Sequence, residues 1–279
     1  MALTNILVHI DHGRSVPARL AVALQLADRH NAHLTALYAV TRPRIPDHVK
    51  PMIPEAVLQM QARRAAEVAA GAQAVFDAAC RAAGCGARAE WRQTSGEPLG
   101  QLTLHVRYAD IAVVGQTDPD AGNGELVDLP GMLALAAGRP VIAVPYIGAY
   151  PRIGENVLIA WNASREATRA VNDALPILEQ AKSVTVLSVN PRGGNNGHGE
   201  EPGADISLHL ARHGVKVAST HIVSDELDPA DLILSRAADL GADLLVMGAY
   251  GRSRLREMVL GGVSRHMMQH MTAPVLMSH

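Results

Sequence analysis

Aromatic residues and cysteine are scarce in this 279-residue chain, and each shortage narrows what it can be. Phe, Trp and Tyr together make up 3% of the residues, whereas hydrophobic residues of all kinds make up 48%. A large core must therefore be packed with Ala, Val, Leu and Ile. The two cysteines, Cys80 and Cys85, match neither a CxxC redox pair nor a zinc framework. Their place at the end of an alanine-rich stretch favours small buried residues.

Excess charge and long apolar runs are missing as well. The formal net charge is −2, and basic and acidic residues are spread evenly along the chain, which argues against a nucleic-acid surface. No run of about 18 apolar residues is present, as a membrane span would need. Asp11, His12 and Arg14 interrupt the first apolar stretch too early for a signal peptide. We expect a cytoplasmic protein that binds neither nucleic acid nor membrane.

One sequence pattern occurs twice. NILVHID at 5–11 recurs as NVLIAWN at 156–162, and an alanine-rich amphipathic stretch follows each copy. Four further apolar runs match in the same order: 33–40 with 183–190, 86–94 with 214–222, 108–116 with 241–249, and 138–145 with 272–279. An internal repeat of this size predicts two domains, which we place at 1–149 and 150–279.

Alternation of short β-branched runs with helical stretches predicts βαβ units. Each half should be a doubly wound, Rossmann-like α/β domain, with a five-stranded parallel sheet in an α/β/α sandwich. A long helix is expected at 55–83. The proline-rich segment 41–54 and the glycine-rich segment 191–205 each follow the second strand of their half. Both should lie at the carboxyl edge of the sheet, where open α/β folds bind ligands.

A glycine-rich stretch near the end of the chain indicates an anion site. An apolar run stops at Gly248, Gly251 follows, and Gly261 and Gly262 come after an arginine-rich segment and before a helical pattern. Glycine lets a backbone approach a ligand closely, and a helix N-terminus offers free N–H groups and a positive dipole end. Phosphate is the natural ligand of this arrangement. The spacing is neither that of a Walker loop nor that of the dinucleotide fingerprint.

The spacing Gly248-x2-Gly251-x9-Gly261, followed by a Val-Ser pair and a final apolar strand, resembles the ATP-binding signature of the universal stress protein family. The tandem repeat, with a first strand ending in Asp or Asn, is similar to two-domain members. The resemblance implies an adenine nucleotide, ATP with or without Mg²⁺, in the second half. It also implies a role in stress response or signalling as a nucleotide-responsive protein.

The resemblance implies a role for each matching position of the second half. Asn162 stands where the family usually has Asp, so it keeps a carbonyl acceptor for the ribose but loses the charge. Gly262 stands where the family usually has Ser or Thr, so one hydroxyl donor is missing. The adenosine should contact Ala160, Trp161, Asn162, Val189, Met247 and Gly248. The phosphates should contact Gly251, Arg252, Gly261, Gly262, Val263 and Ser264.

The first half departs further from the signature. Asp11 is kept, but no glycine follows Gly115 at the required spacing. We expect Leu135-Ala136 to occupy the place of the family's late Gly-Ser pair, which Gly261-Gly262 match in the second half. A triphosphate would be repelled by Asp118, Asp120, Glu125 and Asp128. We expect this half to bind no nucleotide and to pair 141–144 with 275–278, so that the halves form a pseudo-dimer. A further homodimer through outer helices is also expected.

Several of these features have plainer interpretations. Trp161 is as readily a packing residue as a base-stacking one, and Asn162 or Ser164 could cap the next helix. The arginines at 252, 254 and 256 are typical of a solvated loop. The pairs His209/His213 and His266/His270 have the spacing of metal ligands, but the sequence indicates no third ligand, so no metal site is predicted.

No catalytic residue is predicted. The chain lacks GxSxG and HExxH, and its carboxylates are not arranged as a spaced pair. We therefore interpret the protein as a nucleotide-responsive binding protein. Two alternatives stay open: a slow ATP hydrolase, and a nucleotide-free scaffold that carries a relic of the motif. The signal and the protein partners are not given by the sequence.

Overall fold

The structure is a computed structural model, and it describes residues 2–40, 52–119, 128–191, 201–251 and 262–279. The strands are β1 Asn5–Ile10, β2 His33–Val40, β3 Ala89–Ser95, β4 Ile111–Gly115, β5 Val141–Val144, β6 Asn156–Ala160, β7 Ser183–Val189, β8 Val217–Ile222, β9 Leu244–Gly248 and β10 Val275–Ser278. The helices are α1 Val16–His30, α2 Glu55–Ala82, α3 Pro98–Val106, α4 Leu129–Ala137, α5 Arg165–Leu178, α6 Ala204–Arg212, α7 Pro229–Asp239 and α8 Gly262–His270.

The strands form one ten-stranded sheet with the order β3-β2-β1-β4-β5-β10-β9-β6-β7-β8. Within each half the pairing is parallel, and counting from that half's first strand the order is 3-2-1-4-5 both times. This order is half of a doubly wound sheet, with a switch point between the first and fourth strands. The predicted fold class and the long helix α2 are confirmed.

The two halves meet through their last strands. β10 pairs antiparallel with β5, with Leu276 opposite Ile142 and Met277 opposite Val141. All four of these side chains are fully buried. The predicted pairing of 141–144 with 275–278 is therefore confirmed, and each strand covers the other's edge.

Each face of the sheet carries a hydrophobic core that runs through both halves. One core includes Leu20 of α1, Phe76 of α2, Val171 of α5 and Leu210 of α6. The other includes Leu102 of α3, Leu133 of α4, Ile233 of α7 and Met267 of α8. Strand residues alternate between the cores, as a sheet covered on both sides requires. The boundary at 149 and 150 stays a prediction, because packing is continuous across it.

Separating the halves should expose an apolar edge. We expect residues 151–279, expressed alone, to form larger assemblies than the full chain, because β10 loses β5 and its unpaired edge can pair with other copies. Size-exclusion chromatography with light scattering measures this, with the full chain at equal molar concentration as the control. A fragment that stays monomeric would contradict the expectation.

Candidate functional site

The candidate site of the second half lies at the carboxyl ends of β6, β7 and β9. Ala160, the last residue of β6, is in register with Met247 of β9, and the Trp161 N–H continues the ladder to the Leu187 carbonyl oxygen at 2.8 Å. The position between β6 and β9 is the switch point of this half. Open α/β sheets bind ligands in the crevice formed there.

Unusual backbone conformations gather at the same edge. Ala163, Asn190 and Tyr250 follow β6, β7 and β9, and their φ angles are +55°, +47° and +54°. A left-handed conformation at a residue other than glycine costs on the order of 1 kcal/mol and is enriched at functional sites. Asn190 is held by two 2.8 Å hydrogen bonds with the backbone of Ser224. No sequence signal indicated these three conformations.

Gly248 lets the beginning of α5 pack on the end of β9. A Cβ atom at this position would lie 2.5 Å from the Ala167 nitrogen and 2.7 Å from the Glu166 carbonyl carbon. Both neighbours are backbone atoms, which cannot move aside cheaply. Gly248 therefore has a packing role that does not depend on a ligand, beside the predicted one.

The first turn of α8 faces the turn that follows β9. Ser264 is buried, and its Oγ accepts a hydrogen bond from the Tyr250 N–H at 3.3 Å. Gly262 begins the helix, and a Cβ atom there would meet nothing within 4 Å. Gly262, Val263 and Ser264 thus share one helix turn, as predicted. Arg252 and Gly261, with the arginines at 254 and 256, lie outside the described residues.

The predicted adenosine residues divide between the two faces of the sheet. Ala160, Val189 and Met247 pack with the core under α7 and α8. Trp161 instead packs against the core under α5 and α6. Because successive residues of a strand point to opposite faces, Trp161 and Ala160 point to different faces. The structure therefore favours the packing interpretation of Trp161.

Asn162 and Ser164 shape the loop before α5. Asn162 is exposed, and its Oδ1 accepts from the Ser164 N–H at 3.1 Å. Ser164 caps α5, since its Oγ accepts from the Ala167 N–H at 3.1 Å. Of the two caps considered from the sequence, Ser164 is the cap. One acceptor of Asn162 is used locally, and its amide group faces solvent.

Glu166 is a functional candidate that the sequence did not reveal. It lies in the first turn of α5 and is only 5% exposed. A Cβ atom at Gly251 would be 3.7 Å from its Oε2, so the carboxylate borders the predicted phosphate turn. A buried acid in the first helical turn is usually a dipole partner, and its nearness to Gly251 depends on the packing of α5 against β9.

Arg19 fills the equivalent crevice of the first half. Arg19 is 1% exposed, and its guanidinium donates to the His9 carbonyl oxygen at 2.7 Å and to the Asp11 carboxylate at 3.1 Å. A Cβ atom at Gly115 would overlap this guanidinium. In the register that places Asn5 on Asn156, Arg19 corresponds to Ala170. The expectation that the first half binds no nucleotide thus gains a physical reason.

The start of α4 differs from the sequence expectation. Leu135-Ala136 do not begin the helix, because α4 begins at Leu129 and the Asp128 carboxylate caps it by accepting from the Gly131 N–H at 3.0 Å. Both α4 and α8 have nine residues, so counting back from the helix starts places Asp128 and Leu129 at the sequence positions of Gly261 and Gly262. The expectation was wrong because it left α4 no first turn.

The pKa values of His9 and Asp11, which lie beside Arg19 in the filled crevice, are shifted. Burial, with a contribution from the Arg19 cation, lowers the pKa of His9 to about 4. Burial raises the pKa of Asp11, but Arg19, His9 and the Gly13 N–H outweigh it and hold that pKa below its usual value. His9 is therefore neutral and Asp11 ionised at neutral pH, and the Arg19–Asp11 pair stays intact.

The predicted histidine pairs do not form larger clusters. The rings of His266 and His270 lie 4.2 Å apart, and His266 hydrogen-bonds to Asp231 at 2.8 Å. Within the described ranges, no three His, Cys, Asp or Glu side chains stand together as a metal ion requires. None of the helices in those ranges is long and apolar enough to cross a membrane.

The fold and the strand ends define a tandem doubly wound α/β protein whose second half has glycines at the end of β9 and at the start of α8. The family model described as "Universal stress protein family" matches residues 154–279. The match covers the second half of the chain, which is thus similar in sequence to the universal stress protein family.

Individual relatives agree over shorter stretches. A universal stress protein of Bacillus subtilis is 47% identical over 49 residues, which is 18% of this chain and 33% of that protein. One of Methanocaldococcus jannaschii is 35% identical over 72 residues, or 26% of this chain and 43% of that protein. The matches thus span less than half of either relative.

A solved structure matches over almost the whole length. The crystal structure of a universal stress protein from Archaeoglobus fulgidus covers 98% of this chain and 97% of its own, with a TM-score of 0.72 and 15% identity. At this identity the likeness establishes the fold alone. It includes both halves of the present chain.

The low pKa of His9 predicts acid sensitivity. Between pH 6.5 and about 4 the unfolded chain protonates His9 while the folded chain does not. Stability falls as pH falls wherever the unfolded state binds more protons, so the free energy of unfolding should drop by up to about 3 kcal/mol. Urea unfolding at a series of pH values measures this drop.

His9→Gln should flatten the pH dependence, because no titrating group is left at the buried position. His33→Gln is the matched control, since the His33 side chain is 41% exposed. If both variants follow the wild-type pH profile, His9 is not the group responsible.

Proposed function

We propose that the second half binds an adenine nucleotide, with ATP as the first candidate, and that the protein is a nucleotide-responsive member of its family in stress response or signalling. One observation carries the proposal. A buried Ser264 in the first turn of α8 is hydrogen-bonded to the turn between Gly248 and Gly251. That turn lies at the switch point of the half matched by the family model.

The first turn of α8 supplies the chemistry for phosphate. Its N–H groups have no partners within the helix and carry the positive end of the dipole. Ser264 accepts from Tyr250, and its own hydroxyl hydrogen can be donated to a ligand. Ala160, Val189 and Val263 give an apolar surface on the same face of the sheet, which suits the adenine base.

We include Mg²⁺ in the proposal because of Glu166. A carboxylate beside Gly251 repels bare phosphate oxygens, whereas a hard cation is bound by carboxylate and phosphate oxygens together. Glu166 is the described residue that would hold the ion, whose charge would offset this repulsion. Affinity for ATP should therefore be higher with Mg²⁺ than with EDTA.

The location and assembly of the chain belong to the same proposal. We infer a cytoplasmic homodimer without nucleic-acid or membrane partners, in which the halves of each chain form a pseudo-dimer. Exposed apolar residues along α2, Met60, Val68 and Val75, support contact with a second copy through this helix. Other protein partners are expected for a signalling role.

The direct test is mass spectrometry of small molecules released from the purified protein. An adenine nucleotide near one per chain supports the proposal, because Arg19 fills the equivalent crevice of the first half. Steady ADP production that stops on alteration of Gly251 would make the protein a slow hydrolase instead. No released nucleotide, together with no rise in melting temperature on addition of ATP, would make it a scaffold.

Gly251→Asp should abolish ATP binding while the fold is retained. The new carboxylate would stand near Glu166 where phosphate oxygens are proposed, and like charges repel there. Isothermal titration measures the affinity. Gly251→Asn, of the same size without the charge, is the matched control and should bind more tightly than the Asp variant. Equal, unweakened binding by both would move the site elsewhere.

Gly262→Ser should tighten ATP binding by up to about 1 kcal/mol, the net contribution of an ordinary hydrogen bond. The position has room for a side chain, and its backbone does not need glycine. Gly262→Ala is the control, because it adds the Cβ atom without the hydroxyl. Titration of both variants separates the two effects. If the Ser variant binds ATP more weakly than the Ala variant, the absence of a hydroxyl at position 262 does not weaken ATP binding, and this account is wrong.

A further inference from the structure

Tyr250 connects the candidate phosphate turn with the first half of the chain. It lies between Gly248 and Gly251, is 1% exposed and has a φ of +54°. Its N–H donates to Ser264 in α8, and its phenol O–H donates to the Asp128 carboxylate at the start of α4. One residue thus contacts the first turns of two helices that belong to different halves.

The first turn of α4 is shaped to receive the phenol. Asp128 Oδ1 caps the helix by accepting from the Gly131 N–H, while Oδ2 accepts from Tyr250. A Cβ atom at Gly131 would overlap the phenol oxygen, so only glycine leaves room for the contact. Gly131 and Ser264 are each the third residue of their helix. In the first turn of α4, the first half therefore has the Asp128 carboxylate and the space left by Gly131. In the first turn of α8, the second half has the Ser264 hydroxyl.

The hydrogen bond between Tyr250 and Asp128 is a strong restraint on the Tyr250 side chain, and through it on the turn. Hydrogen bonds to a carboxylate are roughly twice as strong as those between neutral groups. A buried phenol without a partner is costly, so the ring keeps its place against Asp128. The turn is also held at Ala249, whose N–H donates to the Ser278 carbonyl oxygen at 2.8 Å and whose carbonyl oxygen lies 3.0 Å from His279 Nδ1. Tyr250 combines a left-handed backbone conformation with an N–H that donates to Ser264.

We propose that the bridge between Tyr250 and Asp128 positions the turn 248–251 and Ser264 for phosphate, so that nucleotide affinity in the second half depends on a carboxylate of the first. This inference rests on the proposed function. It gives the filled first half a role in binding without a ligand of its own. Coupling of this kind is reciprocal, so bound nucleotide should also stabilise the start of α4.

The test compares ATP with adenosine in the full chain. Tyr250→Phe keeps the ring and removes the hydrogen bond, and it should raise the Kd for ATP by about tenfold. The Kd for adenosine should stay unchanged, because adenosine has no phosphate to be positioned. General destabilisation of the half would weaken both ligands alike. Isothermal titration with each ligand gives the two values.

Two further variants make the comparison specific. Tyr108→Phe is the matched control, since Tyr108 is 83% exposed, and it should bind both ligands as wild type does. Asp128→Asn keeps an acceptor for the α4 cap but loses the charge, so it should weaken ATP binding less than Tyr250→Phe. The double variant should be no weaker than Tyr250→Phe alone, because both changes remove one interaction. If Tyr250→Phe does not fold, Asp128→Asn carries the test.

The possible results distinguish a failure of this inference from a failure of the proposed function. Wild-type affinity in Tyr250→Phe and Asp128→Asn would overturn the bridge and leave nucleotide binding standing. Equal weakening for ATP and adenosine would reduce Tyr250 to a structural residue and also overturn it. A wild-type chain that binds neither ligand would overturn the proposed function, and the bridge with it.

Discussion

The antiparallel pairing of β5 with β10 is the contact on which the rest of the structure depends. Five parallel strands in each half leave the last strand with an open, apolar edge, and such an edge pairs with whatever strand is available. Here the available strand belongs to the same chain. The pairing joins two sheets into one and lets each core extend across both halves. It also brings α4 and the turn after β9 within reach of each other.

The two halves have the same strand order, but the crevices at their switch points contain different residues. In the first half the switch point holds the buried Arg19 guanidinium, whose charge is balanced by Asp11, and Gly115 gives it space. In the second half Ala170 stands in the place of Arg19, and α5 packs directly on Gly248. A cation at the first crevice therefore takes the place that a ligand would need. The second crevice is left with groups suited to a ligand: Glu166, Ser264 and the helix N-terminus of α8.

The local sequence pattern was sufficient to predict the strands, the long helix and part of the candidate site. Alternating apolar runs are dictated by burial on both faces of a sheet, so the ten strands and the long helix α2 were predictable. Glycine spacing likewise indicated Gly248 and the first turn of α8. The capping role of Asp128, by contrast, is not visible in the sequence, because a cap can be recognised only once the first residue of its helix is known, and α4 begins at Leu129.

The sequence by itself determined the repeat, the parallel α/β class and the turn expected to hold phosphate, because these follow from periodicity and from short spacings. The pairing of the last strands was expected from the family resemblance and from the apolar edge that each strand would otherwise leave open. Only the tertiary structure decided that Trp161 packs on the opposite face from Ala160, that Glu166 borders Gly251, and that Tyr250 reaches Asp128. Each of these depends on which helices pack together at the edge of the sheet. Tyr250 and Asp128 are 122 positions apart, and no local preference encodes a contact over that distance.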